Sequence, residues 1–350
     1  MDFMNRHVNR RTFLRASAAI AAAPAVAAAQ TGQAFAQDQK GLRVGVLRAP
    51  AAGVIEIGRT IGAYEAEGLK FEPVLFDSAS GPKIIQALGG DSIDLSFVNT
   101  TAALLALAQG AVPLKMISVP TDPSRLFALV GRSDIESVEG LKGKKVAATE
   151  GTALHYFLAR VLTKYGMSFS DIEFVNLPAP QGQAAFVAGQ VDAVVPSVNG
   201  RFYLMSTDKT AREIFTHKDF GSDPNPQKFI NYDLFVTTEK VVEGQADNLK
   251  KFLAAYHGKA VPYLKGKDTR EKAISSITEY INTAQKNPTD PSIMTQIIDN
   301  SGFYDRDEVK TVMTSPDLRE AMEYQIKFFM DLGKIKSAPD LDKAIVTDLL

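Results

Sequence analysis

The sequence predicts an α/β protein of two lobes, each built on a doubly wound, mostly parallel sheet. The lobes are joined by a hinge that the chain crosses twice, and a helical C-terminal tail follows. Three observations predict this. From Leu42 onward, short apolar runs alternate with segments of helical period, a pattern that implies parallel pairing through right-handed crossovers. The pattern then restarts near Lys145 with a local echo. Gly90-Asp91-Ser92-Ile93-Asp94 precedes a strand in the first half and Gly189-Gln190-Val191-Asp192 precedes one in the second; Val44 to Asp94 spans 50 residues, Val146 to Asp192 spans 46. Any two α/β units look partly alike, but here alternation and spacing agree, as an internal duplication requires. Last, after Asn231–Thr237 the apolar period becomes helical almost throughout.

The opening residues read as an address. Asn9-Arg10-Arg11-Thr12-Phe13-Leu14-Arg15 leads into an alanine-rich apolar stretch, and Ala34-Phe35-Ala36 supplies a small-residue cleavage signal. That is a secretory signal over residues 1–36, and its paired arginines resemble the twin-arginine export motif. The apolar stretch is shorter than the roughly 20 residues a spanning helix needs. No cysteine follows it, so it offers no site for a lipid. Cleavage leaves 314 residues with 35 basic and 39 acidic side chains, expected as a soluble monomer of the periplasm.

The elements follow in order. Leu42–Leu47 is a buried strand, being short, apolar and β-branched. Val54–Glu67 is a helix with Ile57, Ile61 and Tyr64 on one face, closed by Gly68. Strands over Phe71–Phe76, Ile93–Val98 and Leu114–Val119 alternate with helices over Pro82–Leu88 and Thr101–Gln109; proline at a first helical turn loses no hydrogen bond. In the second half, strands over Lys145–Thr149, Ile172–Leu177 and Ala193–Val195 alternate with helices over Ala153–Tyr165 and Gln183–Ala188. The tail is helical over Ala246–Leu264, Thr269–Ala284, Asp290–Asn300 and Asp317–Leu332, punctuated by Pro288, Pro291 and Pro316. Crossings near Leu129–Ser133 and Lys228–Asp233 divide the mature chain into lobe one, residues 40–130 plus 235–350, and lobe two, residues 131–234. The cleft between them is the expected ligand site.

Composition narrows the function. A net charge of −1 without basic runs argues against a nucleic-acid partner. With no cysteine and four histidines, thiolate metal sites, iron–sulfur clusters and cysteine nucleophiles are excluded, and no metal or cofactor is expected. There is no G-x-S-x-G, H-E-x-x-H or G-x-x-x-x-G-K-[ST], and no nucleophile has an assignable base, so no catalytic residue is named.

The run from Gly62 to Val119 (GAYEAEGLKFEPVLFDSASGPKIIQALGGDSIDLSFVNTTAALLALAQGAVPLKMISV) resembles the first lobe of periplasmic solute-binding proteins of the aliphatic sulfonate, taurine and nitrate type. LKGKKVAATEGTALHYFLARVLTKYGMSFSDIEFVNL, followed by AAFVAGQVDAVV, resembles the second lobe. The resemblance implies a type II periplasmic-binding-protein fold. It also implies a receptor that captures a small anion and hands it to the permease of an ABC importer. The related thiamine-pyrimidine synthases and porphobilinogen deaminase both depend on cysteines that this sequence lacks. A periplasmic enzyme and a sensory binding subunit on the same fold remain as alternatives.

Ligands of open α/β sheets sit beyond the carboxyl ends of the strands, which selects the candidate residues. Arg48 follows the first strand; it is either an anion-binding guanidinium or a surface arginine paired with an acid. Ser80 opens the helix after the second strand, and Asn99, Thr100 and Thr101 that after the third. In lobe two, Gly151, Thr152 and Ala153 start a helix whose free N–H groups attract anions, with His155 one turn in. The same residue types are ordinary helix caps, and a packed histidine is an equal reading of His155. Glu150 is read as polarising a ligand, as a cap or as a lobe–lobe contact. Asn199 and Arg201 stand where the resembled family places cleft residues, and Tyr232 and Asp233 lie at the second crossing.

Overall fold

The structure, a computed structural model, describes residues 41–350 apart from 48, 77–80, 222, 224–225 and 284–287. The signal segment, Arg48 and Ser80 therefore lie outside the described residues. Strands and helices alternate as β1 (Leu42–Leu47), α1 (Pro50–Thr60), α2 (Ala63–Ala66), β2 (Phe71–Phe76), α3 (Gly81–Gly89), β3 (Leu95–Asn99), α4 (Thr100–Gln109) and β4 (Leu114–Asp122). Then come β5 (Ala128–Arg132), β6 (Lys145–Ala148), α5 (Ala153–Lys164), β7 (Glu173–Asn176), α6 (Ala179–Val187), β8 (Ala193–Val194), α7 (Val198–Thr207), β9 (Ala211–Thr216) and β10 (Asp233–Thr238). The tail holds α8 (Glu239–Ala255), α9 (Val261–Lys265), α10 (Arg270–Asn282), α11 (Pro291–Asp299), β11 (Gly302–Phe303), α12 (Arg306–Thr314), α13 (Pro316–Asp331) and α14 (Leu341–Ala344), with a π-helical turn, Tyr256–Ala260, between α8 and α9.

Two mixed sheets result. Sheet one has the order β11-β4-β10-β3-β1-β2 and sheet two the order β7-β6-β8-β5-β9. In sheet one, β1 is parallel to β2 and β3, while β10 runs antiparallel between β3 and β4. In sheet two, β6 is parallel to β7 and β8, while β5 runs antiparallel between β8 and β9. Most strands of each sheet thus point one way, and the exceptions are β5, β10 and β11. The strand that enters each sheet from the other, β5 or β10, is inserted antiparallel, because a chain that has just left the carboxyl edge of one sheet reaches the next at its carboxyl edge.

The chain leaves sheet one after Asp122, enters sheet two at Ala128, leaves it after Thr216 and returns at Asp233. Most of Leu129–Ser133, read from sequence as a crossing, is strand β5 (Ala128–Arg132), so the first passage is the earlier segment Pro123–Phe127. Strand β9 and helices α7 and α12 were not anticipated; β9 carries AREIFT, whose charges belong to a half-exposed edge strand. The helix expected over Val54–Glu67 starts earlier, at Pro50, and breaks at Gly62, whose φ of 69° is left-handed.

The echo in the sequence is an echo in structure. Asp94 Oδ2 accepts from the Arg43 N–H at 2.9 Å while the Asp94 N–H donates to the Arg43 carbonyl at 2.8 Å. Asp192 Oδ2 accepts from the Lys145 N–H at 2.8 Å, and its own N–H donates to the Lys145 carbonyl at 2.8 Å. Each aspartate ties the approach to one strand, β3 or β8, to the start of its parallel neighbour, β1 or β6. One large apolar core covers both faces of sheet one with tail residues such as Phe252, Ile277 and Met322. Sheet two has a core on each face, around Phe157 and Phe215 and around Phe186. A smaller cluster joins α5, α4 and α13 through Tyr156, Leu105, Phe329 and Ile335.

Candidate ligand-binding site

The amino termini of α1, α3 and α4 follow the carboxyl ends of β1, β2 and β3, and those of α5, α6 and α7 follow β6, β7 and β8. Each terminus presents N–H groups without intrahelical partners.

At α5 the arrangement is local. Gly151 has φ 73°, which turns the chain between β6 and the helix. Its N–H donates to His155 Nδ1 at 3.3 Å. Thr152 is the N-cap, its Oγ1 accepting from the Leu154 N–H at 3.2 Å and donating to the Thr149 carbonyl at 2.6 Å. Ala153 is buried. Among the described residues no partner holds the N–H groups of Thr152 and Ala153. His155 is packed against Phe169, Phe174 and Phe328, with centroids 4.8, 5.2 and 5.6 Å away. Burial pulls its pKa down to about 4, with Lys334 acting the same way and Glu150 against it, so the ring is neutral at pH 7 and serves as an acceptor. Glu150 pairs with Asn176, whose amide donates to it at 3.0 Å, and with Lys334, three residues beyond α13, at 2.9 Å. That is the lobe-to-lobe reading of Glu150, and the lysine holds its carboxyl below the usual range.

At α4 the side chains are engaged with the crossings. Asn99 caps the helix, accepting from the Ala102 N–H at 2.9 Å. Thr100 and Thr101 are fully buried. The Thr100 N–H and hydroxyl both donate to the Tyr232 carbonyl, at 2.8 and 2.9 Å. The Thr101 hydroxyl donates to Gln325 Oε1 at 2.7 Å and accepts from Asn231 Nδ2 at 2.9 Å. Tyr232 is buried, which pushes its phenol well above the usual range. At α7, Ser197 caps the helix and holds Gln183 Nε2 at 2.9 Å. Asn199 Oδ1 is enclosed without a partner. Arg201 pairs with Glu213 at 2.6 Å and donates to the Leu126 carbonyl at 2.9 Å.

The predicted residues therefore form three groups with different roles. Thr100, Thr101 and Tyr232 are brought together across the second crossing; Gly151, Thr152, Ala153 and His155 form the start of α5; Asn199 and Arg201 form the start of α7. The hydroxyls of Thr100 and Thr101 and the guanidinium of Arg201 are already held by protein partners. Sequence reading missed Asn231, Gln325 and Ser124, all buried, because polar residues scattered along loop and helix carry no periodicity. Asp233, beside them, has a carboxyl that burial pushes up to about 6, opposed by the Thr121 hydroxyl donating at 2.8 Å and helped by Asp122. Among the described residues no cluster of three histidines or acids is set to hold a metal ion.

A family profile described as NMT1/THI5 like matches residues 34–264, which include both crossings and every candidate residue above. The chain belongs to the NMT1/THI5-like family. A second profile, the twin-arginine translocation pathway signal sequence, matches residues 7–27, so this family member carries an export signal. Among the described residues no helix is long and apolar enough to cross a membrane. The member is 27% identical over 311 residues to a Bacillus subtilis (strain 168) protein named for binding aliphatic sulfonates, covering 81% of this chain and 89% of that one. In structure it is similar to the periplasmic aliphatic sulphonate binding protein SsuA from Escherichia coli, with TM-score 0.71 and 19% identity over 88% of this chain and 92% of that one. That likeness shows the two-lobe periplasmic-binding-protein fold. The desulfurization enzyme DSZB shares the fold, with TM-score 0.65 and 13% identity over 89% of this chain and 97% of that one.

Proposed function

We propose that this protein is the periplasmic receptor of an ABC importer and captures a small oxyanion, an aliphatic sulfonate or taurine before nitrate, between its two sheets. The observation that carries the reading is the start of α5, where the N–H groups of Thr152 and Ala153 stand unpartnered after a left-handed glycine, at the carboxyl edge of sheet two. Helix amino termini bind anions through such N–H groups and the helix dipole. Ala153 and Thr152 are the proposed backbone donors from lobe two, with Asn199 adding a side chain. Arg48, Ser80 and Asn99 are the proposed contacts from lobe one. Thr100, Thr101 and Tyr232 act one step back, by fixing the crossing on which the lobes turn, and His155 by accepting the Gly151 N–H. Ligand that touches both lobes only when they are closed shifts the equilibrium towards closure, and the closed form is what the permease would recognise. The name of the sulfonate-binding relative supports the ligand class. The twin-arginine signal supports the compartment, and a monomer suffices for the mechanism.

The test is a thermal-shift series on the mature protein with ethanesulfonate, 2-aminoethanesulfonate, nitrate and acetate. A ligand at a hundredfold its Kd stabilises the native state by about 2.7 kcal/mol, which for a chain of this size raises Tm by roughly 4 °C. A rise with a sulfonate and none with acetate is expected. No rise with any of the oxyanions rejects the anion receptor. Turnover of a sulfinate or sulfonate by the purified protein would favour an enzyme on this fold instead.

A further inference from the structure

Asn231 is 2% exposed and lies in the second crossing, one residue before Tyr232. Its backbone N–H donates to Ser124 Oγ of the first crossing at 2.9 Å, and its Nδ2 donates to Thr101 Oγ1 of α4 at 2.9 Å. Gln325 of α13 closes the ring, accepting from Thr101 at 2.7 Å and donating to the Ile230 carbonyl at 3.2 Å. Asn231 is thus fixed to lobe one and to the other crossing. Its Oδ1, however, is enclosed and has no hydrogen-bond donor.

A narrow cavity that Asn231 lines is also lined by a residue with the complementary group. The cavity is lined by Phe127, Ala153, Phe157, Phe229, Arg160 and Asn231, among others, and is too tight to hold a water molecule. Arg160 is on α5, which follows β6 of sheet two, and its Nε–H is enclosed and has no acceptor. Other parts of the same guanidinium are engaged: its Nη2 donates to Thr163 Oγ1 at 3.2 Å, and its plane lies over Tyr156. One buried acceptor and one buried donor, each costly to leave unmade, therefore belong to two residues that line the same dry cavity, one in the second crossing and one on α5.

We propose that Arg160 and Asn231 form a two-position hinge switch: in the arrangement seen the pair is open, and rotation of lobe two about the crossings closes Nε–H onto Oδ1. The open position is held by other bonds. The Tyr156 hydroxyl donates to the Lys228 carbonyl at 2.6 Å, and Glu150 reaches Lys334 at 2.9 Å. The inference rests on the receptor reading only in requiring that the lobes move.

The chain has no cysteine, so a Lys83→Cys, Lys209→Cys pair, exposed on the two lobes, takes spin labels at those positions alone. Inter-lobe distances are then read by pulsed electron–electron resonance on the ligand-free mature protein. Two populations are expected in the parent. Arg160→Met places a methyl carbon where Nε stands and depletes the second population by about fivefold or more, the ratio of one buried hydrogen bond. Arg160→Gln, whose Nε2 occupies the place of the arginine Nε, retains both. A single distance in the parent, an unchanged ratio in Arg160→Met, or the same loss in Arg160→Gln overturns the switch. Because no ligand is present, failure of the sulfonate assignment leaves this outcome readable.

Discussion

Asp233 opens β10 where the chain re-enters sheet one, and its partner is a hydroxyl rather than a cation. Its carboxyl, pushed up to about 6, is protonated over a range in which an unfolded aspartate, near 3.9, is already ionised. The sign follows from linkage: the folded state holds the proton longer, so the stability it confers is present below about pH 4 and is lost as pH rises through 6. Asp233→Asn removes that loss. It is expected to stabilise the protein by about 2 kcal/mol at pH 7.5 and by nothing measurable at pH 4, as read from urea denaturation at the two pH values. His257 runs the other way. Its Nδ1–H donates to the Tyr304 carbonyl and its Nε2 accepts from Ser118, both at 2.7 Å, and burial lowers its pKa to about 4. A neutral ring must therefore be charged on unfolding below pH 6.5, and stability falls as pH drops from there towards 4. Neither group was legible as a titration site in the sequence, where Asp233 is one acid beside a tyrosine and His257 one polar residue in a helical run.

At the level of elements, two helix starts that look alike in sequence separate in structure. Asn-Thr-Thr before α4 and Gly-Thr-Ala before α5 both read as caps or as ligand donors. Thr152 is a cap at a half-exposed terminus, so Thr152→Ala is expected to lower stability by about 1 kcal/mol. Thr101 is enclosed and joins Asn231 to Gln325. Thr101→Val keeps the volume but removes both bonds of the hydroxyl, leaving Asn231 Nδ2 and Gln325 Oε1 only their long 3.5 Å contact with each other, and is expected to cost about 2 kcal/mol. Denaturant midpoints of the two variants, measured side by side, give the comparison; equal losses would contradict the distinction. What separates the pair is a residue 224 positions downstream of Thr101, and no local pattern records such a contact. The strands β1, β2, β3 and β6 were legible because apolar runs between turn residues report burial directly. Strand β5 was misplaced because LVGR next to a crossing looks the same whether the chain is passing a hinge or joining a sheet.

At the scale of the molecule, the echo between the two halves was readable because it has a physical job: Asp94 and Asp192 each tie down the start of a parallel neighbour strand, β1 or β6, by the same pair of bonds. The family was readable because many weakly specific segments occur in one order. The hinge was readable only as a count of crossings, since its polar ring is assembled from α4, α13 and both passages. That ring also orders events in time. On the ribosome every described strand of both sheets precedes α13, yet the Thr101 hydroxyl proton and the Ile230 carbonyl must wait for Gln325. The joint is thus set late, and a nascent chain halted between β11 and α13 carries two finished plates on a loose pivot, exposing Tyr156 and Leu105 to whatever chaperone or neighbour arrives first.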